Sequence, residues 1–129
     1  MENVIGVLAR VFVDDLDAAL PVYRDLAGGR PAQRFAFKGV ELARVGPFLL
    51  LSGDTAPFRD RVATILVRDV DAVADAITRA GGDLVDGPAP GPNGRRLIAA
   101  HPDGSVFEYI EEGGANGESD SGTAPATSS

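Results

Sequence analysis

Phe12-Val13-Asp14-Asp15-Leu16-Asp17-Ala18 returns 54 residues later as Leu66-Val67-Arg68-Asp69-Val70-Asp71-Ala72. In each copy an apolar, strand-like run leads into an aspartate that can cap a helix. The strand runs are 4–13 and 62–67. Asp15 and Asp69 are the caps, since a side-chain carboxylate accepts from the free N–H groups of a first helical turn. Val70, Val73, Ile77 and Ala80 then fall on one helical face, and Gly81-Gly82 ends that helix. In the first copy Leu16, Ala19, Leu20, Tyr23 and Leu26 share a face, with Gly28-Gly29 as the stop. Pro21 removes a helical donor and is expected to kink this helix.

Short strands follow each helix. The first half offers 33–37, 40–45 and 48–52, broken at Lys38-Gly39 and Gly46-Pro47. The second offers 82–85, a Pro- and Gly-rich loop over 88–94, then 95–100 and 105–111 around the turn His101-Pro102-Asp103-Gly104. Each half is therefore βαβββ, and neither buries both of its faces alone. The fold class is α+β. One domain over 1–112 is expected, with module one at about 4–54 and module two at about 61–112. Residues 113–129, GGANGESDSGTAPATSS, cannot bury enough surface to offset their ordering entropy and read as a disordered tail.

Composition narrows the function. A formal charge of −7 over 129 residues argues against a protein that tracks nucleic-acid phosphates. With no Cys there is no disulfide, no thiolate metal site and no Cys nucleophile. Lys38, the sole lysine, is a poor candidate for Schiff-base chemistry. No apolar run spans a bilayer, and Met1-Glu2-Asn3 lacks the start of a signal peptide, so a soluble, cytoplasmic protein is expected. The loop Gly91-Pro92-Asn93-Gly94-Arg95 lacks the Lys-Ser/Thr of a phosphate loop. Neither a G-x-S-x-G elbow nor a His-Glu-x-x-His motif is present.

The closing stretch His101-Pro102-Asp103-Gly104-Ser105-Val106-Phe107-Glu108-Tyr109-Ile110 is similar to the D-P-D-G-N-x-x-E-L/F ending of the vicinal oxygen chelate superfamily, with His101 in place of the usual Asp. Val13-Asp14-Asp15-Leu16-Asp17-Ala18 and Tyr23-Arg24-Asp25-Leu26 resemble its first helix. The likeness covers 4–112. The superfamily includes glyoxalases, bleomycin-resistance proteins and extradiol dioxygenases. It implies two βαβββ modules forming a curved mixed sheet around a cavity, and commonly a homodimer.

The family's enzymes hold a divalent metal with two ligands per module. By that pattern the ligand positions fall on Leu8, Leu50, Val62 and Glu108. Three are aliphatic, and one carboxylate is too few for a tight site, so neither metal nor other cofactor is expected. Strand alternation assigns the cavity face to Leu8, Arg10 and Phe12, to Val62, Thr64 and Leu66, and to Val106, Glu108 and Ile110. Leu50 and Ser52 complete it. The lining is then mostly apolar, with Arg10, Ser52, Thr64 and Glu108 as its polar groups, which suits a small, largely apolar ligand. Glu108 is the one catalytic candidate, and Arg10 is the partner that strand alternation offers it. His101, the only histidine, reads as a turn residue. Arg95-Arg96 could meet an anionic ligand but read first as a solvated strand start.

Three function classes remain. A metal-free binding protein of the bleomycin-resistance type comes first. A metal-independent lyase or isomerase using Glu108 as acid or base comes second. A metal-dependent glyoxalase or dioxygenase comes last, for want of ligands.

Overall fold

The computed structural model describes residues 2–112; the expected tail, 113–129, lies outside them. Strands β1 (Val4–Phe12), β2 (Gln33–Phe37), β3 (Val40–Val45), β4 (Phe48–Gly53), β5 (Arg61–Val67), β6 (Asp83–Ala89), β7 (Arg96–Ala100) and β8 (Val106–Glu111) join helices α1 (Leu16–Leu26) and α2 (Val70–Ala80). The fold is α+β, and the strands are hydrogen-bonded in the order β2-β3-β4-β1-β5-β8-β7-β6. β1 and β4 pair in parallel, while β2–β3, β3–β4, β6–β7 and β7–β8 pair antiparallel. The chain divides into two compact units, Leu8–Thr64 and the remainder, so the division cuts across both β1 and β5.

Both helices begin as their sequences dictate. Asp15 accepts from the N–H groups of Asp17 at 2.9 Å and Ala18 at 3.4 Å. Asp69 does the same with Asp71 at 2.9 Å and Ala72 at 3.4 Å. Gly81 closes α2 in the left-handed conformation, with φ 92°, and the Gly82 N–H donates to the Ile77 carbonyl at 2.9 Å. Pro21 lies inside α1 without ending it. It removes only one bond, the one Asp17 would accept, and the helix keeps its buried Leu16 and Leu20 as anchors. The ends of both helices are less buried than periodicity suggests: Leu26 is 68% exposed, and Ala80 is exposed as well.

Within Leu8–Thr64, Leu16 and Leu20 pack on Ala43, Val45 and Leu50, with Val11, Val13, Tyr23 and Phe48 around them. The Tyr23 and Phe48 rings meet edge to face at 5.0 Å. In the second unit Val70, Val73 and Ile77 of α2 pack on Val67, Leu97, Ala99 and Tyr109. Phe107 joins this core, and the His101 ring lies 4.9 Å from it, edge to face. His101 Nε2 and the Tyr109 hydroxyl are 2.7 Å apart.

One element departs from its sequence reading. β6 runs on to Ala89, through residues that read as loop. Its pairing with β7 shifts register between Leu84 and Asp86 and again between Asp86 and Ala89. β6 lies at the edge of the sheet order, where a proline such as Pro88 need not donate to a neighbour.

Two substitutions test this packing. Leu50→Ala is expected to destabilise the protein by about 2–5 kcal/mol in urea unfolding, because Leu50 is a fully buried packing residue. Burial pushes the Tyr109 phenol above its ordinary pKa. Its neutral form is thus favoured by folding, and that stability is present below the unfolded value of about 10 and lost as pH rises through the folded one. Tyr109→Phe is expected to cost about 0.5–1.5 kcal/mol at neutral pH by deleting the bond to His101. The stability gap between wild type and variant should then narrow above about pH 10 in thermal melts; a gap that stays constant to pH 11, roughly one unit above that value, would refute the assignment.

Candidate active site

In the second unit, α2 takes one face of β7 and β8, through Leu97, Ala99, Phe107 and Tyr109. Strand alternation therefore puts Arg96, Ile98 and Ala100, together with Val106, Glu108 and Ile110, on the opposite face. Ile98 stands across from both Asp86 on β6 and Glu108 on β8, which aligns the two acids in one row. Arg96 reaches both. Its Nη1 lies 3.0 Å from Asp86 Oδ2, and its Nε lies 3.7 Å from Glu108 Oε2. The second distance is an ionic contact rather than a hydrogen bond. The Arg96 side chain is only 9% exposed and that of Glu108 only 16%. Removing such charges from water is costly, and each offsets part of the other's desolvation.

Arg96 is a partner of Glu108 that sequence reasoning missed. As one of a basic pair at a strand start it looked solvated, yet it is in phase with Ile98 and Ala100. That phase was the available signal. Its neighbour Arg95 points the other way and pairs with Asp71 through two contacts, at 2.9 and 3.2 Å. The Arg95 guanidinium holds the Asp71 carboxyl below its ordinary pKa, chiefly by hydrogen bonding. His101 belongs to the α2 side with Phe107 and Tyr109, on the face opposite Glu108. It occupies a turn, as expected, with the Gly104 N–H donating to its carbonyl at 2.9 Å.

In Leu8–Thr64 the parallel pairing of β1 and β4 sets the faces. Arg10 stands beside Leu49, Val11 beside Leu50, and Phe12 beside Leu51. Because Leu50 and Val11 pack against α1, Leu49 and Leu51 share the face of Arg10 and Phe12. The expectation of Leu50 and Ser52 on that face is corrected: both lie on the α1 side. Phe48-Leu49-Leu50-Leu51 is apolar throughout, so its alternation carries no phase, and a one-residue slip exchanges the faces. Leu8 is buried on the Arg10 face, and a side-chain carbon placed on Gly6 would come within 3.3 Å of Leu66 Cδ1. Arg10 Nη1 donates to the Oγ1 of fully buried Thr64 at 2.8 Å. Val62, two residues before Thr64 on the same strand, is 62% exposed.

The Phe12 ring carries two guanidinium groups, Arg59 at 4.7 Å and Arg10 at 6.0 Å from its centroid. A short 3-10 turn, Ala56–Phe58, delivers Arg59, whose Nε donates to Thr55 Oγ1 at 3.1 Å. Arg59 and the turn were not anticipated from the sequence.

Among the described residues no group of three or more His, Cys, Asp or Glu side chains could hold a metal ion. No helix among the described residues is long and apolar enough to cross a membrane.

No protein-family model matches the sequence, and no curated protein matches it significantly. Solved structures do. A Mycobacterium tuberculosis methylmalonyl-CoA epimerase superposes with a TM-score of 0.65 at 21% identity, covering 85% of this chain and 89% of its own. A Streptomyces coelicolor methylmalonyl-CoA epimerase in complex with 2-nitronate-propionyl-CoA gives 0.64 at 23% identity, covering 84% and 94%. These likenesses show a fold of the vicinal oxygen chelate kind. An uncharacterized (hypothetical) protein from Methanosarcina mazei is more similar, with a TM-score of 0.79 and 36% identity over 84% of this chain and 93% of that one. The chain belongs to the same family as that Methanosarcina mazei protein, within a vicinal-oxygen-chelate-like fold.

Proposed function

We propose that the chain is an isomerase-like enzyme that moves a proton on a small carbonyl compound, with Glu108 as the acid and base. The observation that carries this reading is a carboxylate on the face opposite α2, largely withdrawn from water, with a buried guanidinium 3.7 Å away. Ile98, directly across from it, and Val106, two residues before it, share its face. A carboxylate held in this way is a suitable proton acceptor once a substrate carbon is brought within reach. Because similar structures are methylmalonyl-CoA epimerases, an acyl thioester is the substrate class to test first.

The step conserves atoms and electrons. Glu108 takes the proton from the carbon beside the thioester carbonyl, and the electron pair of the broken C–H bond moves into an enolate. Return of a proton to that carbon restores the thioester, and no oxidant or reductant takes part. The epimerases among the similar structures favour this reading over a binding protein without turnover, the reading that the sequence placed first.

Methylmalonyl-CoA and propionyl-CoA incubated with the protein in heavy water provide the test. Wild type is expected to place deuterium on the carbon beside the carbonyl. Glu108→Gln should slow this by about 10²–10⁴-fold with little change in thioester affinity. Unchanged exchange in Glu108→Gln would remove Glu108 from the chemistry. Binding by wild type with no exchange on either thioester would favour the binding protein.

A further inference from the structure

We propose that the flank of α1 facing residues 31–34 is a binding site for a small carboxylic acid with an apolar body. A cavity of about 360 Å³ lies there, a size within the range of small-molecule sites. Asp17, Leu20, Pro21 and Arg24 line its helical side, spaced i, i+3, i+4 and i+7 so that they share one face. Pro31 and Ala32 supply the other wall. Leu20, buried in the core of this unit, is the floor. The two compact proline rings and the Ala32 methyl leave open the space that longer side chains would fill. Proline also fixes its own φ, so these walls are set before a ligand arrives and cost little to order.

Charge gives the site a direction. Arg34 lines it too, but its charge is taken up by Asp17 at 2.5 Å and Glu41 at 3.9 Å. Arg24 stands about 10 Å further along the helix than Asp17 and meets no carboxylate among the described residues. Asp25, its neighbour in sequence, lies about 100° round the helix and off this face. Only the partial negative charge of the helix C-terminus offsets the Arg24 cation. The cavity thus has an apolar middle, a satisfied ion pair at one end and an uncompensated guanidinium at the other. A neutral apolar molecule would leave that guanidinium as it is, and a bare anion would leave the apolar walls wet. A carboxylate on an apolar body meets both, and the guanidinium offers it paired, planar donors.

Amide NMR of the full chain, titrated with phenylpropionate, tests the site. Saturable shifts are expected at the amides of Leu20, Arg24, Ala32 and Arg34. Phenylpropanol, with the same body and no charge, should bind at least tenfold more weakly, and so should acetate, with the charge and no body. Arg24→Ala should weaken phenylpropionate at least tenfold, and Arg24→Lys, which keeps the charge without the planar fork, should weaken it less. Arg79→Ala serves as the control, because Arg79 is the basic residue in the last turn of α2. Its affinity should match wild type. Arg24 is exposed, so its variants should keep the wild-type melting temperature. Absence of saturable shifts at these amides, equal binding of phenylpropanol, or undiminished binding by Arg24→Ala would overturn the proposal. The readout needs no turnover, so the site stands independently of the role given to Glu108, which deuterium exchange decides separately.

Discussion

The two helices each claim one face of the strands beneath them, and every other placement follows from that claim. α1 takes Ala43, Val45 and Leu50; α2 takes Leu97, Ala99 and Tyr109. Because side chains alternate along a strand, burying these residues against a helix commits their neighbours to the opposite side. Arg10, Phe12, Arg96 and Glu108 are where they are because Val11, Leu97 and Tyr109 are hydrophobic. The aspartate caps contribute by fixing where each helix starts, and so which turn meets which strand.

The sequence was most legible where its signals were redundant. The repeated strand-to-aspartate junction, the glycine stops and the short turns located both helices and nearly every strand. Legibility failed where the local pattern had no phase or where the partner was distant. β4 is a run of four large apolar residues, so its two faces could be separated only through the partner register with β1. β6 passes through prolines and glycines that read as loop, and only its pairing with β7 makes it a strand. Arg96 and Arg59 escaped notice for the second reason. One finds its acids on two other strands, and the other finds its ring through a turn of three residues.

A carboxylate row flanked by a buried arginine is a costly arrangement for a small domain. Replacing such a network by well-packed apolar residues is often neutral or stabilising. It lies on a face that the helix cores do not need, so packing alone does not account for it. The same reasoning separates Arg96 from Arg95, whose exposed pairing with Asp71 contributes little beyond local order.

The bond from Arg10 to Thr64 joins positions 54 residues apart, the spacing of the internal repeat. Equivalent points of the two copies therefore touch each other. Two identical copies could not make this bond: a pair of arginines would repel, and a pair of threonines would fall short of one another. At this point the repeat has to be imperfect, with a long donor in one half and a compact acceptor in the other. Carrying both halves on a single chain is what permits that difference, since each can then change without dictating the residue opposite.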